Sequence, residues 1–261
     1  MILLDSRNYH SIEANKVFMS NSQYKDFIKC EAYAMAKLKG WKEPESDAFG
    51  VGSYVHAAIE GTLEEYKVEH AETIFNSKGK PYAEYSKADD MIRALKSDPF
   101  IMFILQGQKE VIMTANFAGA PWKVKVDNYN PDRKRFADLK TVKSIREKYW
   151  HDKYGYVSFV EMYGYITQMA IYAEVERIWS GRDEWIEPLI VAISKEDIPD
   201  KEVIGFTDSD LQYEFEQIEQ NMPRILAVKK GIEEPNRCGK CRYCRETKQL
   251  RRIVHYTDLL A

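Results

Sequence analysis

Long apolar runs are missing from this 261-residue chain, since no stretch approaches the roughly 18 residues that a membrane-spanning helix needs. The opening residues, Met1–Asp5, meet a charge too early to form the apolar part of a secretion signal. These absences predict a cytoplasmic protein that makes no contact with a membrane. Its four cysteines are then expected to stay reduced, which argues against a disulfide framework.

Positive charge is not in excess either. The formal net charge is −3, so the composition of the whole chain does not by itself indicate a nucleic-acid binder. Lysine and arginine nevertheless cluster in three runs, at residues 133–135, 143–148 and 237–252. A single basic run is often only a solvated surface. The first two runs, however, bracket one acidic segment, which favours contact with phosphates.

Internal repeats, low-complexity tracts and the Gly-Lys-Ser/Thr ending of a P-loop are also absent. With 44% hydrophobic and 30% charged residues, the chain has the composition of an ordinary globular protein. We expect a single domain spanning residues 1–261, with its core at about 50–195. We also expect a metal site to join a helix at about 20–40 to a cysteine-containing segment at 236–250.

The periodicity of the sequence predicts helices at about 23–39, 49–68, 88–95, 157–179 and 208–230, and strands at about 110–116, 122–127, 135–141 and 186–194. The β-rich centre is expected to begin near residue 101, and the first three strands to pair as an antiparallel meander. Residues 1–19 show no clear element. The pattern predicts a mixed α/β (α+β) fold, in which helices flank a central mixed sheet.

The segment from Val124 to Lys140 carries an unusual set of charges. Asp127 ends one predicted strand, and Asp138 and Lys140 lie two positions apart on the next. Side chains at i and i+2 of a strand share a face, so Leu139 points into the opposite layer. Alone, such an Asp-x-Lys is more often a surface ion pair. Two converging carboxylates and an ammonium would also suit a hard divalent cation and an activated water.

Other polar residues strengthen the second interpretation. Glu110 lies on the preceding strand, and His56 lies in a Gly-x-x-x-His helix well upstream. Gln168 and Tyr172 are four residues apart on a later helix and therefore face the same way. Hydrolysis of a phosphodiester requires a cation, a deprotonated water and correct positioning, all of which such groups supply.

This pattern resembles the PD-(D/E)XK nuclease superfamily: an acid, a turn, an Asp that ends one strand, ten intervening residues, then Asp138-Leu-Lys-Thr on the next. His56 and the Gln168-x-x-x-Tyr172 pair resemble motifs of its RecB-like branch. The match is nearest to the phage and prophage RecE-like exonucleases, of the exodeoxyribonuclease VIII type. One departure is Val126, which stands where the superfamily usually has proline.

The resemblance implies a restriction-endonuclease-like core and a set of roles. His56, Asp127, Asp138 and the carbonyl of Leu139 would ligate Mg²⁺ or Mn²⁺, and Lys140 would activate the attacking water. Gln168 and Tyr172 would order the site or touch the substrate. Glu110 occupies a place where many relatives have an acid, and its role is the least defined.

The implied activity is exonucleolytic. The enzyme would resect linear double-stranded DNA from its ends in the 5′ to 3′ direction and leave 3′ single strands for a phage single-strand annealing protein. A phage or prophage in a bacterial host would encode it, and a homo-oligomer is compatible with the family. Two alternatives stay open: a DNA-binding or structural protein with a degenerate site, and an endonuclease of the same superfamily.

The cysteines form a separate pattern. Cys238, Cys241 and Cys244 make a tight C-x-x-C-x-x-C triplet, and Cys30 is the only other cysteine. Three thiolates at this spacing indicate a metal centre that needs a fourth ligand, and Cys30 could supply it. The arrangement resembles the 4Fe-4S staple of AddB-type and CRISPR-adaptation nucleases, although those relatives space the last cysteine further away. Zinc is the alternative.

Overall fold

The computed structural model describes residues 2–43, 48–250 and 252–257. Its strands are β1 Gln108–Phe117, β2 Ala120–Asn130, β3 Arg135–Val142, β4 Tyr149–His151, β5 Gly155–Val157, β6 Glu187–Ser194 and β7 Lys201–Gly205. Its helices are α1 Ile12–Val17, α2 Asn21–Lys29, α3 Glu31–Leu38, α4 Ala48–Glu60, α5 Leu63–Glu69, α6 Ala71–Ile74, α7 Ala83–Lys96, α8 Pro99–Ile104, α9 Phe159–Met162, α10 Tyr165–Ser180, α11 Asp208–Lys229 and α12 Arg242–Glu246.

Five strands form a mixed sheet in the order β1-β2-β3-β6-β7. The β1–β2, β2–β3 and β6–β7 pairs are antiparallel, which confirms the predicted meander, whereas β3 and β6 run parallel. A parallel pair needs a long connection, and α10 lies in the one between these strands. The predicted mixed α/β architecture, with helices flanking a central sheet, is therefore confirmed.

Each face of the sheet is covered by its own apolar cluster. Val126 and Phe136 pack with Met169 and Ile171 of α10 on one side. Leu139 packs on the other side with residues of β6, α4 and α7, among them Val191, Val55 and Leu95. Alternation along β3 therefore directs Leu139 away from the layer that contains Phe136.

β2 and β3 pair over only a short length. Their ladder joins Asn128–Asn130 to Arg135–Ala137 and goes no further, although both strands continue. At the far end of β2 the N-terminal segment takes over: Met19 pairs with Trp122, and its carbonyl accepts a hydrogen bond of 2.9 Å from the Lys123 N–H. The sheet is thus split beside Asp127.

Three predicted helices are interrupted. The helix predicted at 23–39 breaks at Cys30, whose extended backbone (φ −170°, ψ 111°) separates α2 from α3. Gly61 (φ +90°) lies between α4 and α5, and Gly164 (φ +62°) lies between α9 and α10. Glycine adopts these left-handed angles without a steric penalty, so both glycines end helices that periodicity alone would continue.

Other boundaries also differ from the prediction. The β-rich centre does not begin near residue 101, because Asp98 caps α8 and Pro99 occupies its first turn. Helix α7 is longer than predicted, and Thr207 caps the last long helix with Asp210 in a reciprocal capping box. Helices α1, α6 and α12, the β4–β5 hairpin and β7 were not predicted. Most of the acidic loop at 43–47 lies outside the described residues.

None of the helices in the described part of the chain is long and apolar enough to cross a membrane.

Gly107, between α8 and β1, offers a test of the fold. Its φ of +140° is unfavourable for other residues, and a Cβ there would overlap the backbone carbonyl of Tyr129 in β2. We expect Gly107→Ala to lower the free energy of unfolding by about 2 to 4 kcal/mol. Gly61→Ala is the control, because a Cβ at Gly61 meets nothing within 4 Å, and it should cost about 1 kcal/mol. Equal losses in denaturant titrations would contradict this account.

Candidate functional site

The polar side chains predicted on β2, β3 and α10 meet where the sheet splits. The Asp127 Oδ2 accepts a hydrogen bond of 2.9 Å from the backbone N–H of Leu139. The Asp138 Oδ1 accepts one of 2.7 Å from the Gln168 Nε2, and the Lys140 Nζ lies 2.6 Å from the Asp138 Oδ2. Two carboxylates, an ammonium and an amide therefore form one cluster between the sheet and α10.

Helix α4 brings His56 to the same place. The His56 Nδ1 lies 3.5 Å from the Asp127 Oδ2 and 3.9 Å from the Glu60 Oε1, one helical turn further on. Sequence reasoning found His56 but missed Glu60. The His-x-x-x-Glu spacing was the available signal, because residues four apart share a helix face.

Burial and neighbouring charges shift the pKa values of the ionisable groups in this cluster. Burial raises the pKa of Asp127 to about 6, and the neighbouring Asp138 carboxylate adds to the rise. Burial by itself would lower the pKa of Lys140, but the two carboxylates outweigh it and raise that pKa. One lysine faces two acids in a largely buried place, so the donor set has the charge and the chemistry to accept a divalent cation.

Two tyrosines of α10 border the cluster. The Lys140 Nζ lies 4.8 Å from the centre of the Tyr165 ring. Tyr172, one turn after Gln168, lines the same cavity as Asp138 and Lys140. Burial raises the pKa of Tyr172 well above its ordinary value, and Asp138 raises it further, so its hydroxyl stays neutral. The predicted Gln168–Tyr172 pair is therefore brought to the acidic residues.

Glu110 stands somewhat apart. It lies between the Lys109–Asn128 and Val111–Val126 pairs, opposite Asp127, and has a positive φ of 55°. Its carboxylate is ion-paired with Lys125. Glu110 lines a neighbouring cavity with His56, Glu60 and Asp127 rather than the one that contains Asp138 and Lys140. Its role stays a prediction.

The N-terminal segment forms a wall that sequence reasoning missed. The cavity of about 260 Å³ that holds Asp138 and Lys140 is lined on this side by Tyr9, His10, Asn15, Ser20, Asn21 and Ser22. Lys123 fastens the wall to β2: its Nζ donates to the Tyr9 carbonyl and, at 2.8 Å, to the Asn15 Oδ1. Burial lowers the pKa of Lys123 to about 8. The only local signal for this wall is the polar run at residues 20–22, directly before the helix predicted at 23–39.

The four cysteines also come together. Their sulfur atoms all lie within 4.8 Å of one another, and the Cys30 Sγ is 3.6 Å from the Cys244 Sγ. The break between α2 and α3 gives Cys30 this position. The turn that follows Cys30 is held by the C-terminal segment, because the Ala32 N–H donates to the Asn236 carbonyl. The N-terminal helices and the C-terminal segment thus meet at a four-thiol cluster.

One thiol of this cluster is predisposed to ionise. Burial opposes ionisation of Cys238, but the backbone N–H of Cys241, 3.2 Å from its Sγ, and neighbouring donors lower its pKa to about 6. No disulfide joins these cysteines. Because thiolates are metal ligands, a four-cysteine set of this kind is suited to a metal ion or cluster.

Comparisons with known proteins agree with this architecture. The model of a family described as a PDDEXK-like domain of unknown function (DUF3799) matches residues 20–247. A crystal structure from Eubacterium rectale, described as a “Putative exonuclease”, is 40% identical, covers 100% of this chain and 99% of its own, and superposes with a TM-score of 0.92. The structure of SSO0001, 16% identical over 90% of this chain and 94% of its own, has a TM-score of 0.30 and carries no argument. No curated protein matches. The chain belongs to the DUF3799 family of PDDEXK-like domains.

Proposed function

We propose that the protein is a DNA exonuclease that depends on Mg²⁺ or Mn²⁺ and hydrolyses linear double-stranded DNA from its ends. The observation that carries the proposal is the meeting of His56, Asp127, Asp138, Lys140 and Gln168 in the split between β2 and β3. Membership of a PDDEXK-like family and the relative described as an exonuclease support it.

The finer features follow the resemblance to RecE-like enzymes. Resection would run 5′ to 3′ and leave 3′ single strands, which a phage single-strand annealing protein would then bind. The whole chain would act as one nuclease domain, and the family match over residues 20–247 is compatible with this. Homo-oligomerisation belongs to the same set of proposals.

The residues of the chain divide the work. His56, Asp127 and Asp138 would hold the cation, with the Leu139 carbonyl as a further ligand. When bound, such a cation lowers the pKa of a coordinated water and offsets the charge that develops on the phosphate. Lys140, positioned by Asp138 and the Tyr165 ring, would orient the attacking water.

Two other side chains have supporting roles in the proposal. Gln168 fixes the Asp138 carboxylate through its amide, so the second oxygen of Asp138 stays directed at Lys140. Neutral Tyr172 would present a hydroxyl to the substrate or to the other site residues. Glu110, paired with Lys125, has no assigned step.

The four-cysteine site would fasten the N-terminal helices to the C-terminal segment. Two metals remain as hypotheses. The C-x-x-C-x-x-C triplet favours a 4Fe-4S cluster. The sulfur separations favour one zinc ion, since four Zn–S bonds of about 2.3 Å place the sulfurs about 3.8 Å apart. In a cubane cluster each cysteine binds a different iron, which spreads the sulfurs further.

We expect Lys140→Ala and Asp138→Asn each to reduce hydrolysis of end-labelled linear duplex DNA at least about 100-fold, because they remove the water-orienting group and a cation ligand. Lys87→Ala is the control, since Lys87 pairs with Asp197 on an exposed surface. Unimpaired digestion by Lys140→Ala would overturn the proposed function.

The same assay separates the alternatives. Labels at the 5′ and 3′ ends report the direction of digestion. Cleavage of closed circular duplex would identify an endonuclease, because an exonuclease needs an end. Binding of duplex without any hydrolysis in Mg²⁺ or Mn²⁺ would identify a DNA-binding protein with a degenerate site.

The raised pKa of Asp127 gives a pH prediction. Between its ordinary pKa of 3.8 and the folded value of about 6, the folded metal-free protein binds a proton that the unfolded chain has lost. Ionisation of Asp127 therefore destabilises the metal-free protein as the pH rises through about 6, and protons compete with the cation below it. We expect the apparent Mg²⁺ affinity to fall about tenfold between pH 7 and pH 5.

Activity measured against Mg²⁺ concentration at each pH tests this competition. At low pH a higher Mg²⁺ concentration should restore the rate, because cation and proton exclude each other. Asp127→Asn, which cannot bind the proton, should have a low apparent Mg²⁺ affinity, and this affinity should not change near pH 6. The same Mg²⁺ affinity at pH 5 and pH 7 in the wild type would contradict the prediction.

The cysteine site is tested by its metal content. We expect protein purified without oxygen to contain stoichiometric metal, and Cys30→Ser or Cys244→Ser to lose it and at least about 3 kcal/mol of stability. A brown protein with broad visible absorption would contain iron–sulfur, and a colourless one with one zinc would not. Lys140→Ala, which leaves the four cysteines intact, should keep the metal at the cysteine site. Unchanged metal in the cysteine variants would remove the proposed site.

A further inference from the structure

The β4–β5 hairpin presents large aromatic rings to the solvent. Trp150 is 62% exposed, Tyr154 is 58% exposed and Tyr156 is 72% exposed. Trp150 and Tyr156 are a cross-strand pair, with ring centres 5.4 Å apart and an interplanar angle of 79°. Contiguous exposed rings of this kind mark a binding surface more often than an ordinary surface.

The opposite face of the hairpin fixes it to the protein. Tyr149 and Val157 are the adjacent cross-strand pair and point the other way. Val157 is buried, and the Tyr149 ring lies 5.6 Å from that of Tyr163 in an edge-to-face contact. The exposed pair is therefore held on a packed element rather than on an unattached loop.

A chain of ring contacts connects the hairpin to the candidate catalytic site. From Tyr149 it passes to Tyr163, then over 6.0 Å to Tyr165, whose ring lies 4.8 Å from the Lys140 Nζ. Three short contacts thus separate the hairpin from Lys140. A DNA strand seated at Lys140 could therefore extend to the hairpin.

The local charge suits a nucleic acid. Lys148 directly precedes β4, and Lys153 lies in the turn of the hairpin, where its Nζ is 4.8 Å from the centre of the Tyr154 ring. Residues 143–153 contain four lysines and arginines and two acids, Glu147 and Asp152, a local excess of positive charge in a chain whose net charge is −3. Rings beside cations hold single strands by stacking on bases while the cations meet the phosphates.

We propose that Trp150 and Tyr156 stack on unpaired bases of a DNA single strand next to the catalytic site. Bases within a duplex stack on one another and offer no face to these rings, so the ligand is single-stranded. The nature of the nucleic acid rests on the proposed function. A ring pair at this place holds the frayed or product strand close to Lys140 without taking part in hydrolysis.

The test measures binding of fluorescein-labelled oligothymidylate in chelator, in which no hydrolysis occurs. We expect the Trp150→Ala/Tyr156→Ala double variant to bind about 5- to 100-fold more weakly than the wild type. The wild type should bind an abasic strand of equal length as weakly, because that strand keeps the phosphates and lacks the bases. The salt dependence of binding should stay unchanged, since the phosphate contacts remain.

Two control variants separate stacking from damage to the fold. Trp150→Phe/Tyr156→Phe keeps aromatic rings and should keep most of the affinity. Trp179→Ala removes another exposed ring, 46% exposed and 6.0 Å from that of Tyr129, and should bind normally. Thermal unfolding of each variant checks that the double alanine variant is folded.

Three results would overturn the inference: wild-type affinity in the double alanine variant, an equal loss of its affinity for the abasic strand, or a wild-type dimer that becomes monomeric in the variant. The last would make this face a subunit interface. Failure of the stacking inference can be distinguished from failure of the proposed function. If the wild type hydrolyses no DNA yet loses oligothymidylate binding on the double substitution, the catalytic proposal fails and the stacking inference stands.

Discussion

One hydrogen bond, from the Leu139 N–H to the Asp127 carboxylate, takes the place of a rung of the β-sheet ladder. The β2–β3 pairing stops at Asn128 and Ala137, so beyond this point the edge of β3 needs another acceptor for its N–H groups. Asp127 satisfies one of them with a side chain. The strands can then separate, and the gap between them admits the polar groups of α4 and α10.

This opening has a thermodynamic cost within the core. Asp138 is 2% exposed, and it and Asp127 share one close cation, Lys140. Buried charge in excess of its partners is unfavourable unless a ligand completes the balance. The apolar packing that surrounds it is extensive, with α10 on one face of the sheet and α4 and α7 on the other. The fold thus tolerates a locally unfavourable cluster, as functional sites commonly require.

Local sequence rules predict the part of this arrangement that depends on one element at a time. The i, i+2 relation of Asp138 and Lys140, the i, i+4 relation of Gln168 and Tyr172, and the mixed sheet all follow from periodicity. The sequence shows glycines at positions 61 and 164, but it does not show the positive φ values at which the helices break. Cys30 interrupts its helix because residues near Asn236, more than 200 positions away, bond to the following turn. Local patterns carry no information on such contacts.

The N-terminal segment shows why the site exceeds its motif. Residues 9–22 have no strong periodicity, yet Met19 extends the sheet beside β2, and buried Lys123 binds the Tyr9 carbonyl. Helix α2 starts from this same segment and leads directly to Cys30. The wall of the cavity that holds Asp138 and Lys140 and the first cysteine of the thiol cluster therefore lie on one short stretch of chain. A metal at the cysteines would restrain the far end of α2, and through it the position of Ser20, Asn21 and Ser22 at the cavity. Such a metal would connect the two sites mechanically, although they share no residue.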